Sequence, residues 1–263
     1  MGVHPLPPEW QAVFDASTTV DAYPYILWDE GYDKIKTILE HHQVTRTTVY
    51  FIVDDYEGIF PQYSYQHLLR TSARASQIRL HESILPYGWE CADRPFEPLP
   101  QMSPRPIVGF CGMMNSHRRG ILNMLHKCPY IDTRFIINQR FWGGAPHDPN
   151  LVDTFNKNIQ HSHFVVCNRG AGNFSMRFYQ TMAYGRIPVL INSDIRFPLH
   201  DTLDYHSCIV IGATEEATLE RLWEVWCNDD IVERQRRCAR LFHKYLRLDR
   251  FVQAALSEIQ TQD

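Results

Sequence analysis

Three groups of residues in this chain have the types and spacing to do chemistry. The first is a set of arginines at helix starts. Arg118-Arg119 open a stretch of helical spacing, Arg169 stands in a turn with Gly170 and Gly172, and Arg177 lies in the first turn of the following helix. Backbone N–H groups make a helix start partly positive, so cations there oppose the helix dipole. An anion between them removes the conflict, because helix N-termini after glycine-containing loops hold phosphates. The second group is amide-bearing: Gln180 is three residues from Arg177 on the same helical face, and Asn168 opens the turn. One side chain can hold a phosphate while its neighbour reaches a ribose hydroxyl. The third is acidic: Asp54-Asp55 close an apolar run, with Glu57 after them and Asp29 farther upstream. Carboxylates at a strand end are candidates for a general base. The plainer alternatives stay open at this point: solvated arginines on a surface βαβ unit, and an exposed acidic turn.

These residues need elements to hold them. The segment from His163 to Asp194 reads as strand, turn, helix, strand. Phe164 to Cys167 is a short apolar run, and Asn168 to Asn173 a turn whose two glycines are free to take positive φ. Ser175 is a good N-cap type, and Met176, Tyr179, Met182 and Ala183 form one apolar face. Gly185 stops that helix before the strand Ile187 to Ile191. Upstream, the pattern predicts strands over 107–111 and 133–138 and helices over 118–125 and 151–160. Phe141-Trp142-Gly143-Gly144 lies between them as a wall for a base. Downstream it predicts a strand over 207–211 and helices over 215–226, 231–245 and 251–259.

In the first hundred residues, 1–20 read as irregular, 25–28 and 47–53 as strands, and 32–42 and 65–75 as helices. A strand is expected over 77–80. Tyr87 and Trp89 fall in a loop, where they could stack on a sugar or simply pack. Five prolines between Pro95 and Pro106 exclude a helix or central strand and read as a linker.

The order Ser175, Arg177, Gly185, Ile187-Pro188-Val189, Asp194 resembles the exostosin-type (family 47) glycosyltransferases. Phe197-Pro198 and the run Cys208 to Ile211 continue the likeness, and Phe110-Cys111-Gly112 with His117-Arg118-Arg119 matches upstream. It covers roughly residues 106 to 225. One position departs: this chain has Gln180 where the family usually has Glu, and a carboxamide accepts with one oxygen only.

The resemblance implies an α/β, GT-B-like architecture: two Rossmann-like domains facing a cleft, 1–100 on the acceptor side and 106–263 binding a nucleotide sugar. The last helix is a candidate to cross back. It implies inverting transfer of a sugar from a UDP-sugar to a hydroxyl of an oligosaccharide or glycoprotein glycan. Donor contacts then fall to Arg118, Arg119, Asn168, Arg169, Gly170, Ser175, Arg177 and Gln180, and the base to Asp54 or Asp55. No metal or cofactor is expected, since arginines can replace a cation. With no extra cation for a sugar carboxylate, the lean is to UDP-xylose or another neutral sugar. Two other readings remain: a non-catalytic nucleotide- or glycan-binding partner of a transferase complex, which Gln180 favours, and a small-molecule phosphate-binding protein.

Composition sets outer bounds. The chain has 263 residues, 44% hydrophobic, and a formal charge of −4, which argues against a general nucleic-acid binder. No apolar run approaches the roughly 20 residues of a membrane helix. A cytoplasmic setting is expected, as in a microbe or a large virus of algae. The seven cysteines include no CxxC pair, which argues against structural zinc. His161 and His163 read as packing or capping residues.

Overall fold

The computed structural model describes residues 3–4, 8–16, 20–22, 25–27, 31–41, 47–63, 66–87, 96–145 and 147–262. Two mainly parallel sheets organise it. The first contains β1 (Val3–His4), β2 (Val20–Ala22), β3 (Tyr25–Leu27), β4 (Thr47–Val53), β5 (Gln66–Arg70) and β6 (Glu82–Ile84). Its order is β1-β3-β4-β5-β6, with β2 on β4, and every pairing is parallel except β1 with β3. β4 is central. Val49, Tyr50, Phe51 and Ile52 are all fully buried, which is why the run is apolar on both faces instead of alternating. Helices α1 (Pro8–Asp15) and α2 (Gly31–His41) accompany this sheet.

Two expectations for this half are corrected. Residues 65–75, read as helical, hold strand β5, and the strand expected over 77–80 is absent there, with β6 starting at Glu82. Leu68 and Leu69 suit either an inward helix face or a strand buried on both faces, and the sequence period cannot separate them. β5 is buried at every position, charged Arg70 included, because that guanidinium donates to the carbonyls of Gly58 and Tyr56. The start of the chain also carries β1 and α1, although 1–20 read as irregular.

The second sheet contains β7 (Ile107–Met113), β8 (Asp132–Asn138), β9 (Phe164–Val166), β10 (Ile187–Ile191) and β11 (Val210–Gly212), all parallel, in the order β8-β7-β9-β10-β11. Helices α3 (Ser116–Lys127), α4 (Pro149–Gln160) and α5 (Met176–Ala183) follow the first three of these strands. Chain direction across the sheet reverses between β7 and β9. In open α/β sheets that reversal leaves a crevice beyond the strand ends, where ligands bind. The last strand is shorter than expected: Ser207 to Ile209 lie outside it.

The proline-rich stretch 96–106 has no regular structure, yet it is pinned along its length. Gln235 closes a two-way contact with the backbone of Leu99, Arg186 donates to the Glu97 carbonyl, and Trp226 Nε1 donates to the Pro104 carbonyl. After α6 (Glu215–Asn228) and α7 (Ile231–Leu241) comes a π-helical turn, Phe242–Leu246. Helix α8 (Leu248–Gln262) then packs against the first sheet. Phe251, Val252, Ala255, Leu256 and Ile259 share one buried cluster with Phe14, Val49, Phe51 and Leu69. Among the described residues no helix is long and apolar enough to cross a membrane. Six of the cysteines are described, all as free thiols.

Candidate functional site

A cavity of about 180 Å³ opens beyond the ends of β7 and β9. Its lining comes from both halves of the chain. Asp55 and Tyr87 belong to the first sheet's side, and Arg118, Gly170, Ser175, Arg177 and Gln180 belong to the second. Ile136, Phe141, Trp142, Leu151 and Phe155 make its apolar flank.

Local structure explains how each polar group arrives. β7 ends at Met113, and α3 begins three residues later, so Arg118 sits in the first turn of that helix. Its Nη1 donates to the Met113 carbonyl at 2.8 Å and its Nε to the Asn168 carbonyl at 3.2 Å. Arg177 is the second residue of α5 and reaches across to the Cys111 carbonyl, with Nη2 at 2.7 Å. That reach requires Gly112, because a Cβ there would overlap Arg177 Nη2. Gly112 also has φ +153°, which L side chains rarely adopt. Arg177 lies over the Phe110 ring at 4.4 Å, a cation–π contact inside the protein.

The electrostatics are unusual. Arg118 and Arg177 are 6% and 8% exposed. Among the described residues no carboxylate pairs with either one. Burial, with Arg177 adding repulsion, brings the Arg118 guanidinium down to about 10, and burial lowers Arg177 as well. Arg177 Nε and Nη1 and Gln180 Nε2 are buried without any hydrogen-bond partner. Unpaired buried charge is expensive, and proteins normally compensate it. A site holding two such cations is one that an anion completes.

On the opposite wall, Tyr87 donates its hydroxyl to Asp55 Oδ1 at 3.0 Å. Burial, then the Asp55 charge, pushes the Tyr87 phenol well above its usual range, so it stays a donor at neutral pH. Asp55 also explains a loop glycine. A Cβ at Gly172 would lie 2.7 Å from Asp55 Oδ1 and 2.7 Å from Ser72 Oγ. Gly170 and Gly172, free to take positive φ, do not take it. Gly172 is there for close approach, while a Cβ at Gly170 would meet only Arg118 Nη2, at 3.4 Å.

The remaining predicted residues lie off the cavity. Asp54 Oδ1 accepts from the Tyr56 amide at 2.6 Å, and burial raises its carboxyl above the ordinary range; it shapes the turn that presents Asp55. Asn168 donates to the His117 carbonyl and accepts from the Ile191 amide, bracing three segments. Arg169 is engaged by Glu57, which also pairs with Arg74 at 2.9 Å. Arg119 is exposed on the outer face of α3. The expected convergence of four arginines is therefore corrected to two. Adjacent residues on a helix point about 100° apart, so Arg118 and Arg119 cannot share one direction. Glu57 is likewise committed to its arginines, and Asp29 and Trp89 lie outside the described residues. Ser175 occupies the N-cap position of α5, but its side chain makes no capping hydrogen bond there.

Sequence reasoning missed the partnership of Tyr87 with Asp55, since 32 residues separate them. It also missed Met113, Ile136, Leu151, Val152 and Phe155 on the apolar flank. For Ile136 the hint was the run Phe135-Ile136-Ile137, which puts apolar side chains on both faces of β8, an edge strand.

Residues 113–223 match the family model of the exostosin GT47 domain. It is the same family that the motifs resemble, and the match supports glycosyl transfer as the general activity. A search of curated proteins finds no match to the chain.

Proposed function

We propose, with an exostosin-like family 47 glycosyltransferase domain as the premise, that this chain moves a sugar with inversion from a UDP-sugar to a hydroxyl of a glycan acceptor. The observation that carries this reading is the pair of buried, carboxylate-free guanidiniums, Arg118 and Arg177, at two helix starts beside the sheet's reversal point. In this reading the two sheets form a GT-B-like pair, one unit over 1–100 and one over 106–263, and the cavity is the cleft between them.

As the glycosidic bond breaks, the diphosphate leaving group gains negative charge. Fixed cations in a water-poor site stabilise that charge far better than solvent-exposed ones. Arg118, Arg177 and the amides near Gly170 and Ser175 hold the diphosphate, and they take the place a divalent metal would fill. Phe141 and Trp142 offer ring surface to the base. Asp55, on the opposite wall, receives the proton of the acceptor hydroxyl, with Tyr87 fixing its carboxylate. Among the described residues lining the cavity, Arg118 and Arg177 are the cations, and both serve the diphosphate, which favours a neutral sugar such as xylose.

The test is release of UDP from a panel of UDP-sugars with and without glycan acceptors. Asp55→Asn is expected to lower kcat about 10²-fold or more while donor KM stays near wild type. Unchanged turnover would remove Asp55 from the mechanism. Tight UDP binding with no turnover for any pair would favour the second reading, a non-catalytic partner, to which Gln180 in place of the family's Glu points.

A further inference from the structure

The apolar flank of the cavity carries a carboxamide. Asn138 closes β8, half-buried, and Ile136, Phe141, Trp142, Leu151 and Phe155 line the cavity with it. Among the described residues, no side-chain hydrogen bond holds its amide. Its position is fixed by the sheet. Asn138 lies opposite Met113 in the β7–β8 register, and the Met113 carbonyl is where Arg118 Nη1 is anchored. Neighbouring strands are about 4.8 Å apart, so this amide stands one strand over from that anchor point. A ribose bridges a gap of that kind between a diphosphate and its base.

The turn after β8 is bent toward the same spot. Trp142 has φ 54° and Gly143 φ 67°, both in the left-handed region. A bulky side chain rarely takes that conformation, and such strain gathers at ligand clamps. The bend brings Gly143 close to the amide: a Cβ there would lie 2.9 Å from Leu151 Cδ1 and 3.8 Å from Asn138 Nδ2. It therefore holds the ring pair Phe141-Trp142 beside a free carboxamide.

We infer that Asn138 reads the edge of a pyrimidine base, while the neighbouring rings cover its face. The inference rests on the cavity being a nucleotide diphosphate site, and it adds the residue that recognises the base. A carboxamide sets an acceptor beside a donor. The uracil imide presents its N–H between two carbonyls. It therefore pairs with Asn138 whichever way the amide is turned. Leucine has nearly the same shape and can make neither bond. Aspartate has acceptors only: it repels the uracil carbonyls but accepts from the amino group of cytosine.

The experiment is calorimetric titration of inorganic pyrophosphate, UDP and CDP into the wild-type chain, Asn138→Leu and Asn138→Asp. The wild type is expected to bind UDP at least tenfold more tightly than pyrophosphate. Asn138→Leu should weaken UDP at least fivefold and leave pyrophosphate within twofold. In Asn138→Asp the ratio of UDP to CDP affinity should fall at least fivefold, a readout that cancels any general repulsion of the diphosphate. Wild-type affinity for UDP no better than for pyrophosphate overturns the inference and leaves the diphosphate site standing. UDP binding by Asn138→Leu equal to the wild type overturns it too, as does an unchanged UDP to CDP ratio in Asn138→Asp. Equal loss of pyrophosphate and UDP in Asn138→Leu also overturns it, since the residue then shapes the site and does not read the base. Wild-type failure to bind UDP or pyrophosphate overturns both this inference and the donor-site reading.

Discussion

At the scale of single residues, the proposed diphosphate site depends most on Arg177. It sits under the protein surface, lies over Phe110, and has two N–H groups with nothing to donate to. Replacing a buried, uncompensated cation with an apolar side chain of similar length removes its desolvation cost; even fully paired buried charges often give up ~1–4 kcal/mol of stability relative to apolar substitutes. Arg177→Met is therefore expected to melt at the same temperature as the wild type or higher. The same variant should lose UDP binding by at least a factor of ten, since a charge-assisted contact is worth ~1.5–3 kcal/mol. Thermal unfolding beside titration checks both. A large drop in melting temperature would mean that the Cys111 carbonyl contact dominates and that the residue is structural.

At the scale of elements, two junctions position the site. The first is the end of β7, where Gly112 leaves room for Arg177. Gly112→Ala adds a methyl group against that guanidinium at a φ of +153° and is expected to cost ~1–3 kcal/mol. It should also weaken UDP binding, because Arg177 moves. The second junction is His163, just before β9. The Ile107 amide donates to its Nδ1 at 3.1 Å, so the proton sits on Nε2, which donates to the Pro100 carbonyl at 3.1 Å. This neutral ring joins the proline-rich stretch to the sheet and packs on Trp226. Burial lowers its pKa below the ordinary 6.5. Protons therefore bind the unfolded chain first. The stabilising contribution is complete above about pH 6.5 and is lost as pH falls toward the lower folded value. Chemical denaturation between pH 7.5 and 5 should show declining stability, with a shallower decline in His163→Gln.

For the molecule as a whole, the cavity needs both sheets, and two sets of contacts hold them together. One is polar: Asn173 donates to Ser72 and Ala73, Ser76 donates to Asp194, and Arg169 meets Glu57. The other is apolar: α8, from the end of the chain, covers Phe14, Val49, Phe51 and Leu69. Phe251, 1% exposed, anchors that helix. Phe251→Ala is expected to cost about 3–5 kcal/mol, as for other buried aromatics. If α8 couples the halves, ligand affinity should fall along with melting temperature. A fall in stability with full retention of UDP affinity would show that the helix braces the first sheet alone.

The sequence by itself determined the second half closely. Apolar runs that end in turn residues are local signals, and the β7–α3 and β9–α5 units follow them, although neither Asn115 nor Ser175 makes a capping hydrogen bond. It also determined which residue types could meet an anion, since an arginine in a first helical turn is a local fact. Tertiary structure decided which of them do. Arg118 and Arg119 are neighbours in the chain, and only the packing of α3 on its sheet turns one inward and leaves the other exposed. Arg169 was as eligible as Arg177 until Glu57, 112 residues away, claimed it. Strand β5 looked helical because a strand buried on both faces loses its alternation. Partners far apart in sequence leave no mark on spacing, so the cavity, its orphan donors and the Asp55–Tyr87 wall exist only once the two sheets are brought together.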